Sequence, residues 1–300
     1  MQQRTIQFIG IGGPASGSGF LYTYLHAHPE TCVLEQATHF FSNHQRYHKG
    51  IAWYESQFVN CKPDMVRGEC SADYIIHPEA ADRIAHCYPQ AKLLAVVCNP
   101  VERLYREYTR AIESGSVTRQ VSLKRYIELH PESLTRGLFA KHLESYFAFY
   151  SPLQLYIAIH EDRYEDPVRY VQKVYEFLEI DDSFVPKPLR KFVKIDPDDP
   201  PPRPLWVRLL RMVWAPLRWL QLDKLVRLIY KHVRLYGRKV WPKMFTPKIG
   251  FTSELAEIKP PPQAPIDSEL RDILHEYYAA DVKKLSQFVR RNLNEEWGIQ

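Results

Sequence analysis

No stretch of this chain approaches the roughly 18 to 20 consecutive apolar residues that span a bilayer, and its opening Met1-Gln-Gln-Arg-Thr carries no apolar signal core. These absences predict a protein that stays in the cytoplasm, attached to a membrane at most peripherally. Cysteine is sparse: Cys32, Cys61, Cys70, Cys87 and Cys98 are an odd number at wide spacings with no CxxC pair. That spacing argues against a zinc site and against a disulfide framework, so each is expected to be a buried free thiol. Hydrophobic content of 45% with 25% charged residues excludes a disordered chain, and 300 residues are enough to bury one large core.

What glycine there is gathers near the start. Thr5-Ile-Gln-Phe-Ile-Gly10 reads as a short buried strand and runs into Ile11-Gly-Gly-Pro-Ala-Ser-Gly-Ser-Gly19. Phe20-Leu-Tyr-Thr-Tyr-Leu25 then has helical apolar spacing and stops near His28-Pro29. Strand, glycine-rich turn and helix in that order build an anion nest, because successive backbone N–H groups and the positive end of the helix dipole converge. A flexible turn without a ligand is the alternative.

Farther on, the apolar run over residues 91–98 predicts a central parallel strand, followed by a helix over 101–112. Residues 153–159 predict another strand, followed by a helix over 167–178. Strands alternating with helices point to a parallel sheet wrapped by helices, with ligands at the carboxyl ends of the strands. The aromatic-rich residues 40–58 are expected as loop and short helix over that site.

From Val185 the chain turns Pro-rich, which predicts a stiff linker. Residues 203–243 then hold eleven Lys or Arg against the single acid Asp223, so this stretch is +10 and the remainder −5. Leu225, Ile229 and Val233 share one helical face there, opposite Arg227, Lys231, Arg234 and Arg238. With tryptophans interleaved, the pattern fits an interfacial membrane helix or a lipid-linked acceptor better than nucleic acid; a helix packed on the core is the plain alternative. A last long helix is expected over about 268–289. The domain reading is an α/β core over 1–190, a Pro-rich linker with a basic amphipathic insertion over 191–262, and a C-terminal helix over 263–300 that packs on the core.

The order of these segments resembles the sulfotransferase family, particularly its heparan-sulfate-type and bacterial members. Pro14-Ala-Ser-Gly-Ser-Gly-Phe-Leu21 is similar to the family's Pro-Lys-Ser-Gly-Thr-Thr-x-Leu loop. Thr38-His-Phe-Phe41 and Lys49-Gly-Ile-Ala-Trp-Tyr54 resemble Lys-Glu-x-His-Phe-Phe and Gly-x-x-Trp-Tyr. Gly68-Glu-Cys-Ser-Ala-Asp-Tyr74, Asn99-Pro-Val-Glu-Arg103 and Arg136-Gly137 follow in family order. The resemblance implies a three-layer, P-loop-type α/β domain whose donor is PAPS, 3′-phosphoadenosine 5′-phosphosulfate. It further implies donor binding by Pro14, Ser16, Gly17, Ser18, Gly19, Arg106, Arg136 and Gly137, catalytic candidates His39 and Glu69, and no metal.

Several positions depart from the pattern. Ala15 stands where the family has its loop lysine, Gln36-Ala37 where it has Lys-Glu, Cys70 where it has a further lysine, and Phe139 where it has a tyrosine. Cys98 and Arg106 occupy the places of the arginine and serine that hold the donor's 3′-phosphate. One well-placed charge-stabilising donor contributes on the order of 3 kcal/mol, so these losses call for compensation. Arg106 is the foremost replacement, with Arg67, Arg103, Arg136 and Lys141 as further cations. His39 can act as base because imidazole ordinarily ionises near neutrality. The expected function is thus a divergent sulfotransferase acting on a small-molecule, glycan or lipid-linked acceptor through a hydroxyl or amine. A sulfotransferase-fold binding or scaffold protein without transfer, and a transferase using a different donor, are the alternatives.

Overall fold

The protein is described here by a computed structural model covering residues 6–187, 189 and 264–299, all within one compact unit. The linker and basic helix expected over 191–262 lie outside the described residues. In chain order the elements are β1 (Phe8–Gly12), α1 (Ser18–His26), β2 (Thr31–Val33), α2 (His44–Tyr47), α3 (Ile51–Ser56), β3 (Val66–Cys70) and a 3₁₀ turn at Tyr74–Ile76. There follow α4 (Ala80–Cys87), β4 (Lys92–Val97), α5 (Pro100–Glu113), α6 (Leu123–Leu129), α7 (Glu132–Thr135) and α8 (Phe139–Phe147). The remainder are β5 (Leu155–Ile159), α9 (Asp162–Glu165), α10 (Pro167–Leu178), α11 (Ser268–Val289) and α12 (Leu293–Glu296).

The five strands form one parallel sheet in the order β2-β3-β1-β4-β5. All of β1 and nearly all of β4 is buried, because helices cover both faces of these central strands. The three-layer α/β reading is therefore correct. The first strand runs two residues past its expected end, since Gly12 still pairs with Ala95 of β4. From β1 the chain goes first to the β2–β3 side and later to the β4–β5 side, so β1 is where the winding reverses. Ligand crevices in open α/β sheets lie at such points, outside the carboxyl ends of the strands.

Local chemistry fixes the helix starts around that end. The Asn99 side chain accepts from the N–H groups of Val101 (2.9 Å) and Glu102 (3.3 Å), with Pro100 as the first helical residue of α5. Asp166 and Pro167 repeat the arrangement at α10. A side-chain acceptor at the cap satisfies an orphan donor and proline lacks the donor that would be orphaned. In α11, Leu274, Tyr278, Val282 and Leu285 share a buried stripe that packs on α8 and α5. Asp281 on α11 accepts from the N–H groups of Ala140 (3.0 Å) and Lys141 (2.9 Å), tying the C-terminal helix to the start of α8.

One reading needs correction. Cys32 on β2 and Cys61 after α3 form a disulfide, with Cα atoms 5.7 Å apart across a separation of 29 residues. The return of the chain after α3 brings them together, which spacing along the sequence does not reveal. Cys70, Cys87 and Cys98 are free thiols, of which only Cys98 is buried. The disulfide closes off a segment in which Phe40, Phe41, Tyr54 and Phe58 pack as a buried aromatic cluster, Phe40 stacking on Tyr54 with centroids 4.8 Å apart.

Candidate anion-binding site at the carboxyl end of the sheet

The chain leaves β1 through two glycines at which any side chain would be strained. Gly12 has φ +82°, and a Cβ there would stand 2.1 Å from the Cα of Ala72, so the loop passes directly over the end of β3. Gly17 has φ +84°, and its Cβ would meet the imidazole of His160 at 1.8 Å. Between them Ser16 closes a tight turn: its N–H donates to Gly13 O at 3.0 Å and its hydroxyl to the same oxygen at 2.5 Å. The Ser16 N–H is thereby used internally. Those of Gly17, Ser18 and Gly19 have no acceptor among the described residues and open at the first turn of α1. The nest read from the sequence over 16–19 is narrower in the structure, at 17–19.

A cleft of about 440 Å³ opens beside this turn, lined by Gly17, Gly19, Phe20, Arg106, Arg110, His160, Arg163 and Tyr164. That is the size of a small-ligand pocket rather than a seat for a single ion. Arg106 and Arg110 stand one turn apart on α5, and Arg163 projects from α9 after β5. Arg163 lies over the rings of Phe20 (5.1 Å) and Tyr164 (4.6 Å) and donates to the Tyr164 hydroxyl at 2.7 Å. Arg106 donates to Cys98 Sγ at 2.9 Å. Its Nε and that of Arg163 are buried without a partner. None of the three forms an ion pair among the described residues, whereas Arg83, Arg103, Arg136, Arg169, Arg271 and Arg291 all do.

Three cations without an ion-pair partner among the described residues stand beside open N–H groups and make the pocket positive. Its effect on neighbours is visible in His160, which burial first and then Arg163, Arg106 and Arg110 push down to about 2. Both influences favour the neutral imidazole, whose Nδ1 is buried and unpartnered and whose Nε2 is 3.3 Å from the Tyr164 hydroxyl. Burial also pushes the Cys98 thiol up to about 12 against the opposing pull of Arg106, so Arg106 meets a neutral sulfur. The buried carboxyl of Glu161 is shifted up by desolvation; one oxygen accepts from Asn99 N at 3.0 Å and the other has no partner.

The remaining sequence candidates fall in two other places. Arg136 does not line the cleft: it pairs with Glu107, which also binds the fully buried Arg103, and Gly137 lies against Tyr278 on α11. Arg67 donates from β3 to Lys62 O at 3.0 Å, and Lys141 is exposed on α8. Glu69, a residue of β3, is wholly buried, and burial shifts its carboxyl up. Its oxygens accept from the hydroxyls of Thr38 (2.8 Å), Ser71 (2.8 Å) and Tyr74. Glu69 thereby anchors the residue 38–42 turn. His39 sits on that turn, partly exposed, its Nδ1 2.7 Å from Asp73. Pro14 and Ala15 form the crown of the loop, Ala15 at φ +58°.

Arg110, His160, Arg163, Tyr164 and Asp73 escaped sequence reasoning. Arg110 lies outside the resembling segments, while Asp73 and the pair Arg163 and Tyr164 lie inside two of them, residues 68–74 and 161–167, at positions the resemblance does not single out. The available signal was position: all follow the carboxyl ends of parallel strands.

Comparison with known proteins agrees with this architecture. A solved sulfotransferase from Alicyclobacillus acidocaldarius superposes with a TM-score of 0.64 at 18% identity, covering 97% of this chain and 98% of that one. The heparan sulfate glucosamine 3-O-sulfotransferase 3B1 of Mus musculus is 28% identical over 57% of this chain and 45% of its own length. The heparan sulfate glucosamine 3-O-sulfotransferase 5 of Homo sapiens is 27% identical over 59% and 54%. The chain thus spans about half the length of the curated relatives it matches. The family model described as the sulfotransferase domain matches residues 6–194, well over half of the sequence, and with it the chain belongs to the sulfotransferase domain family.

Proposed function

We propose that the chain binds PAPS and transfers its sulfuryl group to a hydroxyl or amine of a glycan-like acceptor. The observation that carries this reading is the trio Arg106, Arg110 and Arg163, without carboxylate partners, facing the open N–H groups of residues 17–19. Three like charges held in one partly buried cleft repel, and a polyanion relieves that repulsion. The donor fits: its phosphosulfate would lie on the N–H groups and its 3′-phosphate among the arginines. Arg106 compensates for Cys98, because its guanidinium comes back to the strand end where the resemblance sets an arginine. The glycan class is supported by the printed activity of the heparan sulfate relatives. Peripheral contact with anionic lipid through residues 203–245 is a separate part of the proposal, supported by the charge of that stretch.

Ala15 supports a second reading, in which the fold binds the nucleotide without transferring sulfuryl, since no lysine stands on the loop to follow the leaving charge. Labelled PAPS with heparan sulfate oligosaccharides separates the two. Labelled oligosaccharide supports the first reading. Tight binding of adenosine 3′,5′-bisphosphate with no label transfer supports the second, and no nucleotide binding contradicts each of them.

A further inference from the structure

The residue 38–42 turn and the segment after β3 bring together an imidazole, a carboxylate and a hydroxyl with complementary hydrogen bonding. His39 Nδ1 is 2.7 Å from Asp73 Oδ1, and Asp73 Oδ2 accepts from Ser42 Oγ at 2.6 Å. A carboxylate only accepts, so the hydrogen between His39 and Asp73 belongs to Nδ1, and in the neutral imidazole Nε2 then carries the lone pair. Nε2 makes no hydrogen bond among the described residues, and the imidazole is 42% exposed. Resting on the sulfotransferase reading, we infer that His39 is the base that takes the acceptor proton and that Asp73 is its positioning residue. The pair makes up for the carboxylate absent at Ala37.

The surroundings hold the imidazole in one place. His39 has φ +50°, a backbone state that costs a β-carbon residue on the order of 1 kcal/mol and persists only where neighbours impose it. They do: His39 N–H donates to Ser71 Oγ at 3.0 Å, and Ser71 Oγ donates to the buried Glu69 at 2.8 Å. Glu69 also accepts from Thr38, the residue before His39, so one buried carboxylate fixes the turn at two points. A turn that needed only to close would have no reason to hold an unfavourable φ with its ring turned toward a second carboxylate.

The pair also borders the anion loop. Ala72, next to Asp73, lies against Gly12, where the loop begins, and Ser71 N–H donates to Gly10 O at 3.0 Å. Arg106 and Arg163 follow β4 and β5, on the opposite side of β1. The loop therefore has cations on one side and an oriented base on the other. In the step, Nε2 takes the acceptor O–H proton and the acceptor oxygen forms a bond to sulfur. The bridging S–O bond breaks, and its electron pair goes to the 5′-phosphate oxygen of the departing adenosine 3′,5′-bisphosphate.

The test compares the full chain with its Asp73→Asn and Asp73→Glu forms. Imidazole ¹⁵N spectra at pH 8.5 should give His39 as the Nδ1–H form in the parent and in Asp73→Glu, with loss of that preference in Asp73→Asn. An Nε2–H parent overturns the inference without reference to turnover. With PAPS and heparan sulfate oligosaccharides, Asp73→Asn should lower kcat by roughly 10²-fold or more. Acceptor KM and bisphosphate affinity should stay within about threefold, and Asp73→Glu should recover part of the loss. An unchanged kcat in Asp73→Asn removes Asp73 while the sulfotransferase reading stands. A parent that binds the bisphosphate but transfers to no acceptor removes the base and leaves donor binding, whereas a parent that does not bind it removes the donor reading and the base together.

Discussion

Arg106 reaches back from the second turn of α5 to set its guanidinium 2.9 Å from the sulfur of Cys98, at the end of the strand that precedes the helix. Sequence resemblance sets an arginine at 98 and a serine at 106; here the charge has changed elements but returns to the same end of the sheet. A direct exchange should therefore be tolerated. Arg106→Ser alone is expected to weaken adenosine 3′,5′-bisphosphate binding by tenfold or more, the scale of a charged hydrogen bond of about 1.5 to 3 kcal/mol. The double change Cys98→Arg with Arg106→Ser should restore most of that affinity in titration calorimetry. A double variant as weak as the single one would show that the charge acts only from α5.

Gly17 is expected to be a sensitive position of the loop. Gly17→Ala adds a methyl group into the ring of His160 and asks alanine to hold φ +84°. The backbone term alone is about 1 to 2 kcal/mol. Urea unfolding should give a loss of at least that size, and adding His160→Ala should recover the clash but not the backbone part.

The sheet and the long helices were legible because their signals are local. The apolar run of residues 91–98 reads as a covered strand, and Asn99-Pro100 and Asp166-Pro167 mark helix starts by chemistry that acts within three residues. The loop was legible for the same reason, down to its glycines. Arg163 and Asp73 were not, because what distinguishes them is the company they keep across strands that are distant in sequence. The Cys32–Cys61 bridge was misread on the same ground, as an even or paired spacing is no measure of a through-space distance. The motif that carries Glu69 leaves open whether it reacts or orients, and its complete burial among the Thr38, Ser71 and Tyr74 hydroxyls favours orienting.

The disulfide should add stability chiefly by constraining the unfolded chain. For a closed loop of 29 residues the chain-entropy scale is about 3 to 4 kcal/mol. Reduction, or Cys32→Ser with Cys61→Ser, should lower the urea midpoint accordingly without changing which nucleotide binds. An unchanged midpoint would mean that the bridge does not form in solution.

Acid should destabilise the fold through His160. Its folded-state value lies far below the ordinary 6.5, at about 2, so between these values the unfolded chain binds a proton that the folded chain refuses. The stability it secures is fully present above pH 6.5 and falls as pH drops, by about 1.4 kcal/mol per unit. His28 and His142 are also shifted down by burial and act in the same direction. The informative quantity is thus the difference between parent and His160→Gln, which should narrow by roughly 2 kcal/mol from pH 6.5 to 5. A constant difference would mean that His160 protonates freely in the folded protein.

The central claim is that the Arg106, Arg110 and Arg163 cleft is a nucleotide site that reads a 3′-phosphate. Calorimetric titration of the full chain with adenosine 3′,5′-bisphosphate and with adenosine 5′-monophosphate tests it most directly, at low and at high salt. The account predicts that the bisphosphate binds at least tenfold more tightly than the monophosphate, and that the gap shrinks in Arg106→Ala and Arg163→Ala. Equal affinities for the two nucleotides, or no binding of the bisphosphate, would contradict it.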